Sequence, residues 1–187
     1  MWLKKKNIKS VFKNVYKKFG KIDVLVNNAG TNITNDFDKL SEKDWDTVVD
    51  VNLKGVFLCS QEVLKYMPNE GRIINIGSLS GEYGGPRTPS YAAAKAGVMS
   101  LTHCLARFVG KRKICVNCIS PGVIDNEFTK ETMSKDVRKK AKSLLLLPKF
   151  GNVKDINGMA VFLASKESSY VTAQTISING GAWVRWV

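Results

Sequence analysis

The sequence predicts an α/β fold: a doubly wound parallel sheet with helices on both faces. Three observations predict it. Segments of helical period alternate with short strand-like segments along the 187-residue chain. The strand-like segments are continuous apolar runs, as expected for strands buried on both faces. Several of them end at Gly, Asn or Pro, where a chain leaving a strand turns.

The elements follow in order. Residues 7–19 predict a helix, with Ile8, Val11, Phe12, Val15 and Phe19 on one stripe and lysines on the other side. Gly20 is placed as its C-cap. Residues 22–26 predict the first strand, ending at Asn27-Asn28-Ala29-Gly30. Ser41 followed by Asp44 approximates a capping box, opening one long helix to about Met67. Residues 72–76 predict a second strand, 77–89 a Gly/Ser/Pro-rich loop, and 90–109 a third helix. Residues 114–119 predict a strand turned by Ser120-Pro121-Gly122, and residues 125–147 a flexible insertion. A helix over 155–164 and a strand over 175–178, ending at Asn179-Gly180-Gly181, complete one domain over 1–187.

Composition narrows the function classes. Apolar residues make up 44% and charged residues 24%, as in ordinary globular domains. The net charge of +13 comes from 23 Lys and 6 Arg scattered over the chain. Nucleic-acid readers lean on Arg and interleaved aromatics, so the excess reads as a Lys-rich solvated surface, with no nucleic-acid partner. The field still favours anionic cofactors and substrates. Residues 1–10 carry Lys4, Lys5 and Lys6 with no apolar stretch behind them, unlike a secretory signal. No apolar run approaches the ~20 residues of a membrane span. The expected location is the cytoplasm, with no membrane partner.

Cysteine spacing offers no metal site. Cys115-Val-Asn-Cys118 has the spacing of half a zinc site, but no second pair accompanies it, and His103 is the only histidine. On a strand, residues three apart point to opposite faces, so these thiols should diverge. His103 is expected to pack within its helix.

The residues that could carry chemistry centre on Tyr91-Ala-Ala-Ala-Lys95. Residues four apart share a helix face. An ammonium beside a phenol favours the phenolate and lowers a pKa that is ordinarily about 10, which suits proton exchange with a carbonyl or alcohol oxygen. The motif alone is weak: five Tyr and 23 Lys give about 0.6 chance occurrences in a chain this long. Its surroundings strengthen it. Ser78 lies 13 residues earlier, at the C-terminal end of a predicted strand, where ligands gather in open α/β sheets. Asn52 interrupts an amphipathic helix in which Asn is a poor former. It marks a kink, a satisfied polar position, or a water-holding member of a proton relay.

Six segments in order then resemble the short-chain dehydrogenase/reductase family, and within it the 3-oxoacyl-[acyl-carrier-protein] reductase-like members. They are Asn27-Asn28-Ala29-Gly30, Asp50-Val-Asn52-Leu, Ile73-Ile-Asn-Ile-Gly-Ser78, Tyr91 to Lys95, Ser120-Pro121-Gly122-Val-Ile124 and Asn179-Gly180-Gly181. The resemblance extends from about Asn7 to Trp183 and implies a Rossmann-type fold. It implies hydride transfer between NAD or NADP and a small carbonyl or alcohol substrate. Tyr91 becomes the general acid/base, Lys95 its pKa-lowering partner and ribose ligand, Ser78 the substrate-oxygen ligand and Asn52 the water-linked relay. Asn28, Ala29, Gly30, Tyr91, Lys95, Pro121, Gly122 and Ile124 become the cofactor contacts. A homodimer or homotetramer is the implied assembly, and residues 125–147 the implied substrate lid.

The resemblance also predicts departures. No two glycines stand at i and i+2, so neither Gly-rich phosphate-binding pattern can be written, and the residue selecting NAD or NADP goes with it. The expectation is a domain lacking its first two βα units, ~60 residues at ~30 per unit. The first strand should then be an exposed apolar edge. Asn126 stands where many members have Thr, and Ala173 where Gly is common, which should strain a turn. The expected alternative to an active reductase is a weak or inactive truncated member that acts by oligomerisation or binding.

Overall fold

The computed structural model describes residues 5–182. Lys4 and Trp183, outer limits of the basic segment and of the resemblance, lie outside them. Among the described residues four parallel strands form one sheet in the order β1-β2-β3-β4: β1 Val24–Asn27, β2 Arg72–Ile76, β3 Cys115–Pro121 and β4 Thr175–Ile178. The helices are α1 Lys5–Phe19, α2 Glu42–Val49, α3 Gly55–Val63, α4 Ser80–Tyr83, α5 Pro89–Val109, α6 Glu127–Thr132, α7 Lys135–Ser143 and α8 Val153–Ala164.

The pleat explains the two-faced core. Successive strand residues point to opposite faces. Ile73 joins Val63, Met67, Ala106, Val109, Ile114 and Val116 beneath α3 and α5. Ile74 joins Ile119 and Leu163 beneath α8 on the other side. Each fully buried Val, Ile or Leu among them contributes ~1.5–3 kcal/mol. Cys118 packs with Val56 and Val98, whereas the Cys115 thiol reaches Ser169 O, so the two thiols diverge as the strand geometry requires. Among the described residues no His, Cys, Asp and Glu side chains gather as a metal site, and no helix is long and apolar enough to cross a membrane.

A buried polar chain ties the β1–β2 edge to the helices. Asn27 Nδ2 donates to Ser60 Oγ at 3.0 Å and to Asn75 Oδ1 at 2.8 Å. Asn75 Nδ2 donates to Thr102 Oγ1 at 2.9 Å, and that hydroxyl donates to Val98 O. Burying these groups is tolerable because the donors find partners.

Several expectations are corrected. The single helix expected over 41–67 is α2 and α3 joined by a π-turn at Asp50–Lys54, and it stops at the Leu64 cap. The loop after β2 contains α4. The insertion at 125–147 contains α6 and α7, each opened by a side-chain cap, from Asn126 and from Ser134. The first strand begins two residues later than expected. His103 is exposed rather than packed. By contrast, Gly20 ends α1 at φ +75 as expected. The expected apolar edge is also present: among the described residues β1 is the sheet edge, with Val26 47% exposed.

Ala173 lies at φ +58 while its N–H donates to Val116 O. A Cβ in that left-handed region costs roughly 1 kcal/mol. Ala173→Gly is therefore expected to raise unfolding stability by about 0.5–1 kcal/mol, part of the relief being offset by glycine's entropy. Urea unfolding at constant m-value checks this; a lowered midpoint would show that the Ala173 methyl matters more as packing.

Candidate active site

Ser78 follows β2 by two residues, at the C-terminal end of the sheet. Gly77 permits the approach, because a Cβ there would sit 2.7 Å from Cys118 Sγ. The Ser78 hydroxyl hydrogen-bonds to Tyr91 and also accepts from Ser80 N–H at 3.2 Å. Tyr91 stands in the first turn of α5, which begins with Pro89, a residue pre-set for that position. Its ring lies 6.3 Å from that of Phe128 on α6 and 5.5 Å from Lys95 Nζ. Lys95 is buried one turn on and donates to Ile76 O at 2.7 Å.

Asn52 sits in the π-turn and is fully buried. A π-turn widens the helix and leaves carbonyls mispaired. Asn52 Nδ2 takes up one helix carbonyl, Val48 O at 2.9 Å, and one from the loop after β1, Thr31 O at 2.7 Å. Its Oδ1 is buried with no hydrogen-bond partner among the described residues. Such an acceptor is costly unless something occupies it. Gly30 leaves the space in front: a Cβ there would meet Asn52 Oδ1 at 2.8 Å and lie 3.7 Å from Lys95 Nζ.

The fold therefore brings Asn52, Ser78, Tyr91, Lys95 and Gly30 into one group. Asn28, Ala29 and Gly30 are exposed along the same rim. Asn27, their neighbour, is structural. Pro121 at the end of β3, and Gly122 and Ile124 just past it, lie half-buried, and Gly122 packs so closely on Asn179 that a Cβ would fall 2.7 Å from its Cα. Leu79 N–H donates to Pro121 O, joining this turn to the Ser78 segment.

Electrostatics corrects one expectation. The Lys95 ammonium does not pull the Tyr91 phenol below its ordinary value. Burial raises the Tyr91 pKa, and the Ser78 hydrogen bond opposes that rise. The ammonium lies over the ring and spends a donor on Ile76 O. Burial also lowers Lys95 from 10.5 to about 8, with the charge of Cys118 acting the other way. Burial pushes the Cys118 thiol up to about 11. A neutral thiol carries no charge to support Lys95 near neutral pH, so burial is the cause that counts there. Sequence reasoning missed Cys118 beneath Lys95, and Glu82, whose carboxylate accepts from Ser120 and Ser177. No spacing signal marks either residue; only the sheet register brings them near.

A parallel sheet with Ser, Tyr and Lys converging at its carboxyl end defines a Rossmann-like α/β protein with a dinucleotide-type site. The comparisons carry this to a family. The family model described as enoyl-(acyl carrier protein) reductase matches residues 3–182. The 3-oxoacyl-[acyl-carrier-protein] reductase FabG of Thermotoga maritima is 46% identical over 178 residues, covering 93% of this chain and 71% of the relative. The reductase of that name from Salmonella typhimurium is 37% identical, covering 95% and 73%. A blue fluorescent protein from a metagenomic library, solved in complex with NADPH, superposes with a TM-score of 0.91 at 31% identity, covering 98% of this chain and 74% of that one. The chain belongs to the short-chain dehydrogenase/reductase family, whose members are NAD(P)-dependent oxidoreductases.

Proposed function

We propose that the chain catalyses proton-coupled reduction of a small carbonyl substrate, or the reverse oxidation of an alcohol, with NADP or NAD as cofactor. The observation that carries this reading is the meeting of Ser78 and Tyr91 beside the buried Lys95, near Asn52 Oδ1, which has no partner among the described residues. The nicotinamide end of a dinucleotide fits the residues present, because Gly30 leaves an open floor between Asn52 Oδ1 and Lys95 Nζ. Asn28, Ala29, Gly30 and Lys95 would hold the ribose side, and Pro121, Gly122 and Ile124 the carboxamide side. When bound, the cofactor supplies the hydride.

The residues supply the proton and the orientation. Tyr91, its pKa raised by burial, is a protonated phenol at neutral pH and gives that proton to the substrate oxygen. Ser78 hydrogen-bonds the same oxygen. Lys95, still mostly protonated near neutral pH, balances the phenolate that forms. Asn52 Oδ1 accepts from a water that returns the proton. Residues 125–147 act as the substrate lid, with Phe128 against Tyr91 and the exposed Leu144, Leu146 and Leu147 as an apolar wall.

Fluorescence titration with NADPH and NADH tests the reading, followed by consumption of the reduced cofactor with a 3-oxoacyl thioester, the substrate class in the relatives' names. Binding near the millimolar range with stoichiometric oxidation at high cofactor concentration is expected, because only contacts to the nicotinamide end are among the residues present. No oxidation at any cofactor concentration would leave the alternative of an inactive binding protein, and micromolar binding would show that the phosphates find other contacts.

Self-association is the second part of the proposal. An apolar groove between α3 and α5 is lined by Phe57, Leu64, Leu101, Leu105 and Phe108. Phe108 is 78% exposed. Aromatic side chains exposed in such a patch mark interfaces. Phe108→Glu is expected to convert the assembly to a smaller species in sedimentation velocity; an unchanged profile would place the interface elsewhere.

A further inference from the structure

The helix that follows Ser78 is too short to hold itself in place. α4 has four residues and buries none of them fully, and so short a helix has no stability of its own. Its position is set by what it touches. Gly81 lies against α5, where a Cβ would approach Ala96 N at 2.7 Å and Lys95 C at 2.8 Å. Leu79 N–H donates to Pro121 O just before α4, and Glu82 adds a side-chain tether. One carboxylate oxygen, Oε1, accepts from Ser120 Oγ at 2.6 Å and from Ser177 Oγ at 3.0 Å. Ser120 and Ser177 are register partners on β3 and β4. Ser120 is fully buried and adjoins Pro121. Hydroxyl bonds to a carboxylate are shorter and roughly twice as strong as neutral ones. One oxygen thus joins the Ser78 segment to two strand ends, one of which leads into the Pro121-Gly122 turn.

We propose that Glu82 is a positioning residue of the active site: by gathering the Ser120 and Ser177 hydroxyls, it locks the Ser78 segment to the ends of β3 and β4 and so holds the Ser78 hydroxyl against Tyr91. This rests on the assignment of Ser78 and Tyr91 to proton handling. The lock works through hydrogen bonds accepted by Oε1, so an amide oxygen at that point keeps both bonds at lower strength, whereas an alkyl group keeps neither. The contact matters to Tyr91 because the Ser78 hydrogen bond stabilises the phenolate against the cost of burial.

The test needs no cofactor. The Tyr91 ring carbon resonance, labelled in the full chain and assigned by its loss in Tyr91→Phe, is titrated with pH. Glu82→Leu is expected to move the Tyr91 midpoint upward by about one unit, the equivalent of one net hydrogen bond. Glu82→Gln, which keeps both acceptor bonds at reduced strength, should recover at least half of that shift. Ser120→Ala combined with Ser177→Ala leaves Glu82 in place and should reproduce the Leu shift, which keeps the test open if Glu82→Leu does not fold. An unchanged Tyr91 midpoint in both Glu82→Leu and the double serine variant overturns the proposal, as does Glu82→Gln behaving like Glu82→Leu. NADPH affinity, measured in parallel, should weaken several-fold in Glu82→Leu and hold in Glu82→Gln. A wild-type chain that binds no NADPH counts against the functional reading, while the tyrosine titration still reports on the lock.

Discussion

Tyr91→Phe is expected to lower turnover by roughly 10²–10⁴-fold while leaving NADPH affinity within about twofold, the usual contribution of a positioned general acid. The substitution is clean. Phenylalanine keeps the ring beside Phe128 and beneath the Lys95 ammonium, and only the hydroxyl that bonds Ser78 is lost. Reduction then has to take its proton from a water in a site shaped for a phenol. Initial rates under saturating NADPH separate this outcome from weakened binding. A variant retaining more than a tenth of wild-type turnover would remove Tyr91 from the proton path.

Lys95→Met is expected to do two opposite things. Turnover and cofactor affinity should fall by at least about 10²-fold, because the ammonium that balances the phenolate is gone. Stability of the cofactor-free chain at about pH 7 should rise. A buried lysine whose pKa drops from 10.5 to about 8 is held charged at a cost of ~3 kcal/mol near neutral pH. Met removes that cost. It also forfeits the hydrogen bond to Ile76 O and the contact with the Tyr91 ring, each worth ~1 kcal/mol. The net gain is about 1 kcal/mol. The sign with pH follows from proton binding. Between about pH 8 and 10.5 the unfolded chain keeps the Lys95 proton while the folded chain releases it. Wild-type stability therefore gains from this residue as pH rises through that window, and the advantage of Met fades across it. Urea unfolding at several pH values reads both. A Met variant several kcal/mol less stable at neutral pH would show the ammonium to be a net stabiliser.

Much of this was legible in the sequence, and the limits were physical. Strands β2 and β4 were placed to the residue because continuous apolar runs bounded by turn residues admit little else. The site motif was legible because Tyr91 and Lys95 are local on a helix and Ser78 sits at a strand end. Glu82 was not, because its partners lie 38 and 95 residues away and meet it only through the β3–β4 register. The break at Asp50–Lys54 was visible only as an ill-fitting Asn52; an extra residue in a helical turn leaves no local signature. The direction of the Tyr91 shift was misjudged because spacing reports proximity and not burial, and here burial outweighs the neighbouring charge.

The π-turn has one more consequence. An asparagine amide can in principle sit either way round, its oxygen and nitrogen exchanged. Here the choice is forced, since reversing Asn52 would set its oxygen against two carbonyls, Val48 O and Thr31 O, and forfeit both bonds. The side chain thus has a fixed polarity and shows the cavity a lone pair, never an N–H. Any solvent molecule resting there must orient a hydrogen toward Asn52 and keep its own lone pairs for the next donor in line. The misfit in the helix, by claiming one half of an amide, would give a proton relay through this point its sense of direction.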